Sequence, residues 1–269
     1  MKLYLANISN ILIRKFKEKD KEIIDRLLSK NIYVLESFYL LKSKNLLNQI
    51  YKYIDKWDLL IDSGAFSFLR RKEKFINFSF DYYTDEYADF IKSFNIKNFI
   101  EIDIDSIVGL NEVERIRDRL EKRVGAQCIP VWHKSRGFNY FKWMVKNYKY
   151  VAIGGIAIKD IKKKEYDYLF PKLIYEAKKN NCLIHGLGLT DVKFLKKFKF
   201  DSVDSASWLI ASIYLRSYDF DMKFALNSKH KLFTLGEDND EKKNNSTKAL
   251  LMYNFLNALK LQEYAKINL

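Results

Sequence analysis

Eight short apolar runs, separated by charged stretches with apolar residues at helical spacing, constrain this chain more than any other feature. The runs are KLYLA (2–6), IYVLES (32–37), LLIDSG (59–64), FIEID (99–103), CIPVWH (128–133), YVAIGG (150–155), LIHGLG (183–188) and FDSVDS (200–205). Between them lie KEKDKEIIDRLLSK (17–30), DYYTDEYADFIKSF (81–94) and NEVERIRDRLEKR (111–123). A near-continuous apolar run is what a strand buried on both faces needs, and its alternation with amphipathic helices marks a parallel sheet covered by helices. Eight such units predict an α/β chain with the (β/α)8 TIM-barrel fold. A doubly wound open sheet uses the same alternation. The polar residues favour the barrel: Asp62, Asp103, His133, the pair Gly154 and Gly155, His185 and Asp204 each close a different run. Only in a closed barrel do those strand ends converge on one mouth.

After the last strand the pattern changes. Residues 220–236 read as a hairpin or an extended segment, EDNDEKKNNSTK (237–248) as a polar linker, and ALLMYNFLNALKLQEYA (249–265) as an amphipathic helix. The expectation is one barrel domain over 1–215 with a C-terminal extension, 216–269, packed on it.

Lysine and arginine number 48 against 34 acidic residues, a formal charge of +14. Such an excess points to a polyanionic partner, nucleic acid before a membrane surface, although a lysine-rich, AT-biased genome produces a similar surplus. Candidate phosphate contacts are Arg70 and Arg71 in RRKEK (70–74), Lys134 and Arg136 in KSR (134–136), and KHK (229–231), each also readable as ordinary solvated surface; Trp208 is a candidate for stacking on a base. Cys128 and Cys182, far apart in apolar runs, read as reduced core residues. No run approaches the ~18 apolar residues of a membrane span, and no leader pattern opens the chain. A cytoplasmic protein without a membrane partner is expected.

Taken singly the motifs are weak. DSGAFS (62–67) reads as a turn with a capping aspartate, IGG (153–155) as a glycine turn, and His185 as a satisfied core histidine as readily as a functional one. In combination they are far more specific. DSGAFS, FIEID, IGGIA (153–157) and FDSVDSA (200–206) resemble, in order, the motifs of the tRNA-guanine transglycosylases. That family folds as a TIM barrel and exchanges guanine for a 7-deazaguanine through a covalent enzyme–nucleic-acid intermediate. The resemblance covers about residues 58–210.

It implies that Asp204 is the nucleophile, Asp62 the general acid/base and Asp103 the carboxylate that reads the base edge, with neighbouring Asp105 the other candidate for that reading. Ser63, Gly64, Gly154, Gly155 and His185 would line the same pocket. The family's glutamine after the fifth strand is replaced by PVWHKS (130–135), which makes His133 a substitute donor. The family's zinc motif is missing, since no cysteine follows Cys182; four N/S ligands are needed for such a site, so no metal and no cofactor is expected. The shortened chain and the DSASW ending (204–208) are more similar to the phage and bacterial DNA-guanine transglycosylases, which implies DNA and a preQ0-type 7-deazaguanine as substrates, and possible homodimerisation. A tRNA acceptor is the alternative, and a non-catalytic nucleic-acid-binding subunit a further one. Independently of the resemblance, Asp201 and Asp204 differ by three, so in a strand of period two they face opposite sides.

Overall fold

The computed structural model describes the chain except residues 44–45, 66, 68–77, 223–225 and 232–239, and leaves aside the side chains of residues 43, 226–231 and 240–246. Every one of the eight apolar runs overlaps a strand: β1 (Lys2–Ala6), β2 (Tyr33–Ser37), β3 (Asp58–Asp62), β4 (Asn98–Phe99), β5 (Val131–Trp132), β6 (Tyr150–Ile153), β7 (Leu183–Gly186) and β8 (Ser202–Ser205). They form one sheet of order β4-β3-β2-β1-β8-β7-β6-β5, parallel throughout. This is the sequential order of a ring opened between β4 and β5. Those two edge strands are only two residues long, and beside them a single parallel bridge joins Ile100 to Ile129. The Ile129 amide donates to Phe99 O at 2.8 Å, and the Glu101 amide to Ile129 O at 3.1 Å. The sheet is thus curled and TIM-like, its two edges meeting at one bridge instead of a full ladder.

Both faces of the sheet are buried, which is why the runs carry no polar alternation. Tyr4, Ala6, Leu35, Leu60, Ile100, Ile129, Val131 and Ala152 pack together on the concave side. The alternate residues, such as Leu3, Leu5, Val34, Ile61 and Val151, join the larger core beneath the helices. The helices that matter here are α1 (Glu18–Leu28), α2 (Phe80–Ser93), α3 (Leu110–Val124), α4 (Gly137–Asn147), α5 (Tyr166–Lys179), α6 (Val192–Lys197) and α7 (Ser207–Ile213). Helices α2 and α3 lie side by side, joined by Asp81–Arg115, Asp85–Arg119 and Asp89–Arg123 ion pairs. The constant offset of 34 residues means that the two helices run parallel, as successive helices around a parallel sheet must.

Beyond α7, β9 (Arg216–Asp221) and β10 (Leu226–Lys231) form an antiparallel hairpin, and α8 (Asp240–Asn268) closes the chain. The stretch expected to be a polar linker is helical from residue 240 onward. Glu and Lys are strong helix formers, and docking of the downstream half propagates the helix upstream. Helix α8 packs on β1, α7 and β9. Gln262 donates from Nε2 to Leu3 O and Tyr33 O, both at 2.8 Å, and Asn254 bonds Trp208 O, Ser212 Oγ and Arg216 O. This helix therefore covers the outer face of β1, and the extension is part of the helical layer. No helix among the described residues is long and apolar enough to cross a membrane, and both cysteines are buried and unpaired.

Candidate active site

Counting by twos from the concave core positions assigns the strand-end residues to their faces. Asp62 follows Leu60, His133 follows Val131, Gly154 follows Ala152, and His185 pairs in register with both Ala152 and Ser202. Asp204 continues from Ser202 on the same face. Asp201, of opposite parity, accepts instead from the Ile184 amide at 2.8 Å at the start of the strand and has no part in the mouth.

Three carboxylates meet there. Burial, then the charges of Asp103 and Asp204, push the Asp62 carboxyl up to about 7, against weaker opposition from the Gly64 and Ser63 amides. A carboxyl near neutrality can carry a proton in either direction at physiological pH. Asp204, mostly buried, is held differently: its Oδ1 accepts from the Gly188 amide at 2.6 Å and lies 3.3 Å from His185 Nε2. Asp103 Oδ2 is 2.8 Å from His133 Nε2. Burial pulls the His133 imidazole down, but the hydrogen bond and charge of Asp103 outweigh it, so the net shift is upward.

Asp105 is engaged elsewhere. Arg136 grips it through Nε and Nη2, both at 2.6 Å, and although burial pushes its carboxyl up, that guanidinium holds it below the usual range. Of the two aspartates in this segment, Asp103 is the one that faces the mouth beside His133.

The glycines are required by geometry. Gly64 has φ of +88°, and a β-carbon there would sit 2.3 Å from Tyr39 Cβ. A β-carbon on Gly154 would lie 2.5 Å from His133 Cε1, so Gly154 is the seat of that ring. Gly155, at φ of +80°, turns the chain away from β6.

Several expected contacts need correction. Ser63 is fully buried, its hydroxyl donating to Glu101 O at 2.9 Å, so it braces β3 against the next strand and offers no side chain to a ligand. His185 is likewise fully buried and reaches the mouth only through Asp204. Trp208 is 0% exposed and packs on Phe255, ring centres 5.5 Å apart, because α7 turns that side of the helix toward α8. It has no surface for base stacking. Arg136 is 1% exposed at its side chain and neutralises Glu101 and Asp105, so it is a structural cation with nothing left for a phosphate. Lys134 remains half-exposed but pairs with Glu165 at 2.5 Å. Arg70, Arg71 and the rest of RRKEK lie outside the described residues, as do the side chains of KHK.

Sequence reasoning missed the group that organises this side of the sheet. Glu101 is fully buried and accepts from Arg117 Nη1 at 3.0 Å, Arg136 Nη1 at 2.8 Å and the Val131 amide at 2.8 Å. It ties β5 to the segment bearing Asp103. The available signal was an acid between two isoleucines in FIEID, since a charge buried in such a run needs a paired cation. Tyr87 was missed too: its hydroxyl lies 3.0 Å from both Ile61 O and Ile100 O, joining β3 to the β4 edge where the ladder is shortest.

Among the described residues, no group of three or more His, Cys, Asp or Glu is arranged to hold a metal ion. No protein-family model matches the chain, and no curated protein matches it either.

Proposed function

We propose that this chain is a base-exchange transglycosylase that replaces guanine in DNA with a 7-deazaguanine, using Asp204 as nucleophile and Asp62 as the proton carrier. One observation carries the reading: Asp62, Asp103 and Asp204 interact electrostatically at one mouth, yet Asp62 is raised to about 7 while Asp204 accepts from the Gly188 amide and lies beside His185 Nε2. Two acids in unlike surroundings are what a covalent exchange at a sugar carbon needs. The curled sheet with its edges bridged at Ile100 and Ile129 is read here as a (β/α)8 barrel, which places such residues at a shared C-terminal face.

In the first half-reaction an Asp204 oxygen bonds to C1′ as the C1′–N bond to guanine breaks. Protonated Asp62 gives its proton to the departing base, which leaves neutral. In the second half the incoming 7-deazaguanine yields its ring N–H proton to the Asp62 carboxylate and attacks C1′, and the Asp204 carboxylate is released. Asp103, flanked by His133, is suited to accept hydrogen bonds from the amino and ring N–H edge of the base. A target inside duplex DNA has to leave the stack to reach the mouth, and the +14 charge supports a polyanionic substrate.

The test is incubation with isotopically labelled guanine or a 7-deazaguanine and either duplex DNA or tRNA, followed by nucleoside mass spectrometry. Label in deoxyguanosine, or deazaguanine in DNA, supports the reading. Incorporation into tRNA alone replaces the acceptor, and no incorporation into either removes the activity.

A further inference from the structure

Behind Asp204, inside the barrel, runs a chain of hydrogen-bonding side chains that the exchange reaction does not itself use. His185 is fully buried, with Nε2 3.3 Å from Asp204 Oδ1 and Nδ1 2.5 Å from Ser202 Oγ. The Ser202 hydroxyl also bonds the Tyr150 hydroxyl. All four residues lie on the concave face, on β6, β7 and β8.

The chemistry of the donors gives this chain a direction. Burial pushes the Tyr150 phenol well above its ordinary range, so it keeps its proton and can donate. If Tyr150 donates to Ser202 Oγ, the single Ser202 proton is free to point at His185 Nδ1, which must then be bare. The ring proton sits on Nε2 and is directed at Asp204. The opposite neutral tautomer would set a bare Nε2 against a carboxylate oxygen, an acceptor–acceptor contact at a ring that water does not reach.

Taking from the reading above that Asp204 is the nucleophile, we propose that His185 is its positioning residue. As the Nε2–H tautomer, fixed from behind by Ser202 and Tyr150, it holds Oδ1 together with the Gly188 amide, and Oδ2 is the oxygen presented to C1′. Anchoring one oxygen by two donors sets the rotation of the carboxylate, and alignment of the attacking atom is a large part of the advantage of a bound reaction.

Two measurements test this. The first needs no reaction: imidazole 15N–1H correlation spectra of the 15N-histidine-labelled protein, which has three histidines. The signal that disappears in His185→Gln is expected to show a protonated Nε2 and a bare Nδ1, and Ser202→Ala is expected to loosen that preference. A protonated Nδ1, whether Nε2 is bare or also protonated, overturns the proposal. The second is single-turnover formation of the denaturant-resistant protein–DNA adduct. His185→Phe, which keeps a ring but no donor, is expected to slow it about 10- to 100-fold, as loss of a hydrogen bond to a charged group does, with DNA affinity unchanged. His185→Gln, whose side-chain amide can donate near the Nε2 position, is expected to recover most of the rate. A merely structural role predicts no such recovery, so equal rates in the two variants overturn the proposal, whether both are slow or both match the wild type. Should His185→Phe fail to fold, the wild-type spectra still decide. Wild-type protein that forms no adduct with DNA or tRNA defeats the proposed reaction, and the spectra judge the tautomer on their own.

Discussion

The backbone amide of Gly188 donates to Oδ1 of Asp204 at 2.6 Å, from a residue whose φ is +74°. The loop after β7 thus reaches across to the carboxylate at the end of β8. A β-carbon on Gly188 would come within 2.7 Å of Ala157 Cβ, so the loop after β6 fixes where that amide can be. Gly188→Ala should cost about 1–3 kcal/mol through backbone strain and move the donor. The expected outcome is a lower melting temperature together with adduct formation slowed at least tenfold; an unchanged adduct rate would detach Gly188 from the site.

Asp62 should give the protein two linked pH dependences. In the unfolded chain its carboxyl ionises near 3.8, and in the folded protein near 7. Between those values the native state binds the extra proton, so this residue's contribution to stability falls as pH rises from about 4 to 7. Asp62→Asn removes that slope and should make the protein more stable than wild type at pH 8, by at most about 4 kcal/mol and less in proportion to the solvent that reaches the mouth. Adduct formation in the wild type should decline as pH rises through about 7, and the Asn variant should be about 10²- to 10⁴-fold slower. Denaturant titrations at pH 5 and pH 8 and a pH–rate profile check both.

His133 acts with the same sign, through a cation instead of an acid. Its folded-state pKa is raised by Asp103, so the stabilisation from that pair is complete below about 6.5 and is lost as pH rises through the higher folded value. His133→Gln should lose stability at pH 6 and much less at pH 9. Equal losses at the two pH values would mean that His133 stabilises through packing against Gly154 and not through charge.

Replacing Arg136 by leucine leaves Glu101 and Asp105 with an uncompensated charge in the interior. The expected loss is about 3–5 kcal/mol in denaturant unfolding, with no change in the salt dependence of nucleic-acid binding, because Arg136 faces no solvent.

Binding to nucleic acid should itself be electrostatic, log K falling linearly with log salt as condensed counterions are released. Affinity that stays level between low and physiological salt would mean that the +14 charge serves some other end.

Much of the fold is legible in the chain because burial on both faces leaves its mark residue by residue. Each of the eight apolar runs overlaps a strand, and β1 has the expected bounds, Lys2–Ala6. The concave positions of Asp62, His133 and Asp204, and the exclusion of Asp201, follow from a period of two. What the chain alone does not reveal is which charged residue is already neutralised. Arg136 and Trp208 look like surface contacts in KSR and DSASW, yet one is consumed by Glu101 and Asp105, and the other is covered by a helix that begins more than thirty residues later. The same holds for the choice between Asp103 and Asp105, decided by a guanidinium about thirty residues downstream, and for the chain His185–Ser202–Tyr150 behind Asp204, whose links join three different strands. Local pattern determines which face a residue occupies, because the backbone period is local. Whether its charge or hydrogen-bonding capacity is free depends on partners brought near only when the sheet curls, and the tertiary structure decides that.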